Sequence, residues 1–345
     1  MKRCRVAAML AVLALCLPLL SPARQAAAQI GFAVAEVPDP PGPALRIGLW
    51  YPTEAMAAPT RLGPYTQRVA PGAPPRGRDL PLVLISHGAG GSFAGHHGLG
   101  AALAEAGFVV AAPNHAGDTT GDTVRAGTLA GLRDRPRQLL RVLDWMLREW
   151  PEAARLDGGR VGAFGYSAGG FTVLAAAGGE PDLRRLAVHC ALQPADPSCR
   201  LGRPKAAPVA APGAAADAAP DAPWPRDDRI RAIVVAAPAL GHAFAPRGLA
   251  GLRQAVQLWR PEADELLAHP WHAEMVRRLL PAPPELHEVP VAGHYAFLEP
   301  CPAGMAAAVP EICLDAPGFD RPGFHAAFNR AVAAFLAARL APAGR

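Results

Sequence analysis

Gly165-Tyr166-Ser167-Ala168-Gly169 is the stretch on which the fold turns. It follows the apolar run at residues 161–164 and precedes Phe171-Thr172-Val173-Leu174-Ala175, which can be a helix. A G-x-S-x-G sequence between a strand and a helix has a mechanical reading. The turn is so sharp that the serine takes a strained backbone conformation, and glycines two residues to either side leave room for close packing. The hydroxyl then stands at the end of a strand, over a helix N-terminus whose dipole favours developing negative charge. In a chain with 35 glycines the pentapeptide alone is weak, and its strand–turn–helix setting is what makes Ser167 a candidate nucleophile.

Around this turn, apolar β-branched runs alternate with helical patterns. Strands are expected at residues 32–37, 45–51, 82–86, 109–112, 161–164, 232–236, 256–259 and 286–290. Leu82-Val83-Leu84-Ile85 is apolar at every position, as a central parallel strand covered on both faces must be. Residues 136–150 read as an amphipathic helix with Leu139, Leu143, Met146 and Trp150 on one side, and residues 323–340 repeat the pattern. The expected class is α/β, a mostly parallel eight-stranded sheet with helices on both faces. Residues 202–225, mostly Ala, Pro and Asp without an apolar period, form an excursion to which no fold is assigned.

A serine nucleophile needs oxyanion donors, a base and an acid. Ser86-His87-Gly88-Ala89-Gly90-Gly91-Ser92 ends the strand at 82–86, and a Gly-rich turn there aims backbone N–H groups into the site. The expected donors are the N–H groups of Ala89 and of Ala168, the residue after the serine. Of eleven histidines, His294 lies in a loop directly after the last strand and is the expected base. His87 reads as a loop organiser. His115 and His242 follow strands, and with His87, Tyr166 and Tyr295 they are the residues expected around the pocket. The acid should follow the penultimate strand, where Glu262, Asp264 and Glu265 compete. A strand, a short turn and then Asp favours Asp264. The chain order Ser, Asp, His is that of the α/β-hydrolases.

At these residues the sequence resembles the bacterial group often named predicted dienelactone hydrolases. That group is similar to the platelet-activating-factor acetylhydrolases and, more distantly, to cutinase-like polyesterases. The match is carried by Leu49-Trp50-Tyr51-Pro52-Thr53, Ser86-His87-Gly88-Ala89-Gly90-Gly91, Pro113-Asn114-His115, Gly165-Tyr166-Ser167-Ala168-Gly169, Arg229-Ile230-Arg231-Ala232-Ile233-Val234 and Gly293-His294-Tyr295-Ala296-Phe297-Leu298. The resemblance implies carboxylic-ester hydrolysis by Ser167, Asp264 and His294 with neither metal nor organic cofactor. Two departures bear on substrate. Dienelactone hydrolases proper use a cysteine where this chain has Ser167, and acetylhydrolases place their acid after the earlier strand, where this chain has no carboxylate.

The N-terminus decides how the charge is read. The whole chain of 345 residues carries +5. Lys2, Arg3 and Arg5 precede an apolar run of about 15 residues broken by Pro18, and Ala26-Ala27-Ala28 follow. That is the pattern of a secretory signal peptide, too short for the ~20 residues that span a bilayer. Leu15 before Cys16 is large where lipidation needs a small residue. Cleavage after Ala28 removes four basic residues and lowers the net charge to +1. The basic character therefore argues for export to the periplasm or beyond, and against nucleic acid or a stable membrane anchor. Cys190, Cys199, Cys301 and Cys313 remain, and in an exported chain they are expected as disulfides. Nearest-neighbour pairing closes short loops, and the other two connectivities stay open. No pair has C-x-x-C spacing, so no metal site is expected there. The expected partner is a small-molecule ester. An exported peptidase or amidase using the same triad, and a phospholipase or acetylhydrolase-type lipid esterase, are the alternatives.

Overall fold

Leu82-Val83-Leu84-Ile85 lies at the centre of the sheet, each residue at most 1% exposed. Alternation sends its side chains to two cores. Leu82 and Leu84 pack in a layer with Leu139, Val142, Leu143 and Phe171. Val83 and Ile85 pack in the other, with Leu99, Leu103, Phe328 and Val332. A computed structural model describes residues 29–40, 42–201 and 222–342. The leader expected at 1–28 and most of the 202–225 excursion lie outside the described residues.

The strands are β1 Gln29–Val37, β2 Leu45–Thr53, β3 Ala58–Leu62, β4 Tyr65–Pro71, β5 Leu80–Ser86, β6 Val109–Pro113, β7 Leu156–Tyr166, β8 Ile230–Ala236, β9 Ala255–Pro261 and β10 Glu285–Val289. The helices are α1 His97–Glu105, α2 Leu129–Arg148, α3 Ala168–Ala176, α4 Arg184–Leu192, α5 Ser198–Leu201, α6 Ala273–Leu279, the single turns α7 Met305–Ala308 and α8 Pro310–Cys313, and α9 Arg321–Arg339. The sheet runs β10-β9-β8-β7-β5-β6-β2-β1-β4-β3. The strands from β5 to β10 are parallel to their neighbours, and β2 turns antiparallel against β6. Helices α2, α3 and α6 cover one face, and α1 and α9 the other.

All eight expected strands are present, but among the described residues the sheet has ten. The additional pair is the hairpin β3–β4, which joins the edge through Gly31–Ala70 and Phe32–Pro71. Pro59 and Pro64 punctuate this stretch, and its buried side chains are few, so it lacks the alternation that marks a strand. The helix expected from residue 136 begins at Leu129, where Thr128 Oγ1 accepts from the Gly131 N–H at 3.0 Å. Pro136 favours a first-turn reading but sits inside the helix. The end of the excursion is anchored: Trp224 donates to the Pro181 carbonyl at 2.8 Å and meets Phe171 edge-on. The four cysteines form Cys190–Cys199 and Cys301–Cys313. Among the described residues no helix is long and apolar enough to cross a membrane.

Candidate active site

Parallel strands put their C-terminal ends on one side, and the expected site residues gather there. Register pairs Ser86 of β5 with Gly165 of β7, so the Gly-rich turn after β5 lies beside Ser167. Ser167 has φ 54° and ψ −118°, the strained elbow conformation. It is held by its N–H donating to the Ala236 carbonyl and its carbonyl accepting from the Ala239 N–H, both at 3.0 Å. The flanking glycines are required by contact. A Cβ on Gly165 would lie 2.1 Å from the Gly169 oxygen, and one on Gly169 would lie 1.9 Å from the Ser86 oxygen.

His294 Nε2 lies 3.0 Å from Ser167 Oγ, and its Nδ1 lies 2.9 Å from Asp264 Oδ2. Asp264 follows β9 and His294 follows β10, so the ends of three parallel strands, β7, β9 and β10, with β8 between β7 and β9, bring the three side chains together. The other Asp264 oxygen accepts from the backbone N–H groups of Leu266 and Leu267 at 3.0 and 2.7 Å. That fixes which carboxylate oxygen is left for the imidazole. Of the competing carboxylates, Glu262 is exposed, while Glu265 Oε2 accepts from the His294 backbone N–H at 2.8 Å. Such an arrangement can take a proton from Ser167 at Nε2 while Nδ1 stays bonded to a carboxylate.

Ala89 is exposed at the tip of its turn and Ala168 opens α3. Gly88 is the close neighbour of the serine, since a Cβ there would lie 2.9 Å from the Tyr166 ring and 3.4 Å from Ser167 Cβ. Tyr166 is buried, packs its ring 5.2 Å from that of His294, and donates its hydroxyl to the His294 carbonyl at 3.0 Å. Burial, with the Asp264 charge nearby, pushes its pKa well above the usual tyrosine value, so it remains a donor. Tyr295 is half-buried, with its ring 5.5 Å from His294. A cleft of about 330 Å³ opens beside Asp264, lined by Pro238, Pro261, Glu262, Asp264, Leu267 and His272 among others.

Three histidines expected around the pocket sit deeper. His115 accepts the Ser86 hydroxyl at Nε2, 2.8 Å, and faces Gln138 Oε1 with Nδ1 at 3.0 Å. His87 accepts the His115 N–H at Nε2, which leaves its Nδ1–H to donate to the Gly88 carbonyl at 2.7 Å. Burial, and next the Arg135 charge, drives both far below the ordinary histidine value, so they are neutral struts under the Gly-rich turn. His242 is buried and stacked on His189.

Arg135 was not singled out by the sequence, yet it ties this region together. It is 1% exposed and ion-paired to Asp118 at 2.7 Å. It also donates to the His87 carbonyl and to Thr172 Oγ1 of α3. Asp118 in turn accepts from the Gly90 N–H at 2.7 Å. One buried guanidinium thus braces the Gly-rich turn against α3. Arg135→Lys keeps the charge but cannot reach all these acceptors. It should lower kcat on an ester by about 10²-fold with little change in KM, the cost expected when donors shift by about 1 Å. An unchanged kcat would show that the brace does not position the turn.

A family model described as alpha/beta hydrolase fold matches residues 81–211. A ferulic acid esterase from Streptomyces cinnamoneus superposes with a TM-score of 0.62, covering 94% of each chain at 20% sequence identity. The fold is that of the α/β-hydrolases. No curated protein matches the chain in sequence. Within the α/β-hydrolase fold, Ser167 occupies the turn between β7 and α3.

Proposed function

We propose that this chain is an exported serine hydrolase that cleaves carboxylic esters through Ser167, His294 and Asp264. The observation that carries the reading is the relay itself, a buried imidazole bonded to Ser167 Oγ at one nitrogen and to Asp264 at the other. His294 Nε2 takes the hydroxyl proton as Ser167 Oγ bonds to the ester carbonyl carbon. The N–H groups of Ala89 and Ala168 hold the oxyanion. The C–O bond to the alcohol then breaks, and His294 returns its proton to the departing oxygen. Water, losing a proton to the same nitrogen, attacks the acyl-enzyme and releases the acid and free Ser167. Every group these steps need is on the chain.

Export is supported by the leader pattern and by two disulfides, which persist in oxidising compartments. Residues 29–345 would then act as one α/β-hydrolase domain. The motifs quoted above support a place beside the predicted dienelactone hydrolases. The name of the ferulic acid esterase neighbour points, like them, to an ester bond. For the test, kcat/KM for p-nitrophenyl acetate or butyrate should exceed that for the matching p-nitroanilide by several orders of magnitude. Comparable rates on the anilide would replace the esterase reading with an amidase one.

A further inference from the structure

Beside the triad, and not used by it, lies a second cluster of buried polar side chains. His189 is on α4, Asp196 is in the turn before α5, and His242 is in the short turn Gly241–Ala243 after β8. One donor atom from each lies within 4.8 Å of the other two, and all three residues are buried. The Cys190–Cys199 disulfide closes the loop that carries Asp196.

The hydrogen bonding around this cluster is incomplete. Asp196 Oδ1 accepts the Ser198 N–H at 2.9 Å, while Oδ2 faces His189 Nε2 at 2.7 Å and His272 Nε2 at 3.4 Å. His272 Nδ1 accepts the Leu240 N–H at 3.0 Å, so its proton sits on Nε2, facing the carboxylate. His242 is 5% exposed, yet its Nδ1 has no hydrogen-bond partner. A buried acceptor left unpaired is costly, and one set beside His189 and Asp196 marks a place where something else can bind.

We propose that His189, Asp196 and His242 bind a divalent transition-metal ion of the zinc class. Two imidazoles and one carboxylate suit Zn²⁺, Co²⁺ or Ni²⁺, and not Ca²⁺ or Mg²⁺, which prefer all-oxygen shells. His272 is the outer partner that orients the carboxylate, as ligating groups are commonly held. The His189 proton that now faces Asp196 passes to Nδ1 or to solvent as the ion takes Nε2. The ion would tie α4 and the Asp196 turn to the loop leaving β8. That loop also carries Ala239, whose N–H holds the Ser167 carbonyl. Its place is therefore structural, beside the triad.

The test uses purified full-length protein stripped with a chelator and titrated with ZnCl₂ and, separately, CoCl₂. One Zn²⁺ should bind per chain, the melting temperature should rise by several degrees, and Co²⁺ should give visible bands of a low-symmetry site. His242→Ala and the isosteric Asp196→Asn should lose all three signals, while His287→Ala, on β10, should keep them. The proposal fails if stripped wild-type protein takes up no stoichiometric Zn²⁺. It fails equally if folded His242→Ala or Asp196→Asn protein binds one ion with an unchanged Co²⁺ spectrum.

Discussion

Ser167→Ala should lower kcat for p-nitrophenyl butyrate by about 10⁵- to 10⁶-fold, the size of loss seen when a triad nucleophile is removed. Its circular dichroism and melting temperature should stay those of the wild type. The elbow's strain is set by the backbone, where φ is 54° for either side chain. What holds it, the Ala236 carbonyl and the Ala239 N–H, does not involve the hydroxyl. The change removes one oxygen from a site already 9% exposed, so no large cavity opens. Activity within tenfold of wild type would mean that another group attacks the ester.

Asp264→Asn should cost about 10⁴-fold in kcat, the loss measured when a triad acid is replaced by its amide. The hydrogen bonds say why an isosteric change is so damaging. Asp264 Oδ1 is claimed by the N–H groups of Leu266 and Leu267, which only an oxygen can satisfy. An asparagine must therefore keep its oxygen there and turn its NH₂ toward His294 Nδ1. That nitrogen then has to accept, so the proton moves to Nε2, the atom that should take one from Ser167. Glu262→Gln should leave the rate unchanged. Glu265→Gln should change it only a few-fold, because the amide oxygen can still accept the His294 N–H. A Glu265→Gln loss as large as that of Asp264→Asn would contradict the assignment of the acid.

Most of the site could be read from the sequence because its signals are local. The nucleophile elbow is five residues between a strand and a helix, and His294 and Asp264 each follow their strand within a few positions. The choice among three carboxylates rested on spacing, and the fold adds a reason in the bonds that fix Asp264. Arg135 was missed for a physical reason. With the helix read as starting at Pro136, Arg135 fell outside it. In α2 it lies four positions before Leu139 and three after Leu132, on the inward stripe. A charge at an inward helix position was the available signal. The hairpin β3–β4 escaped because its prolines and few buried positions carry no strand period. The His189, Asp196 and His242 cluster is joined only by tertiary packing, so no spacing along the chain announces it.

Ser167 as the attacking atom is tested most directly by covalent trapping. The protein is incubated with a fluorophosphonate, digested with trypsin and mapped by mass spectrometry. Residues 161–184 form one tryptic peptide in which Ser167 is the sole serine, so the modified position is unambiguous. The expected result is a single phosphonyl adduct on that peptide, absent in Ser167→Ala and formed far more slowly in His294→Ala. An adduct on another peptide with 161–184 unmodified, or no adduct on protein that hydrolyses esters, would overturn the serine-hydrolase reading.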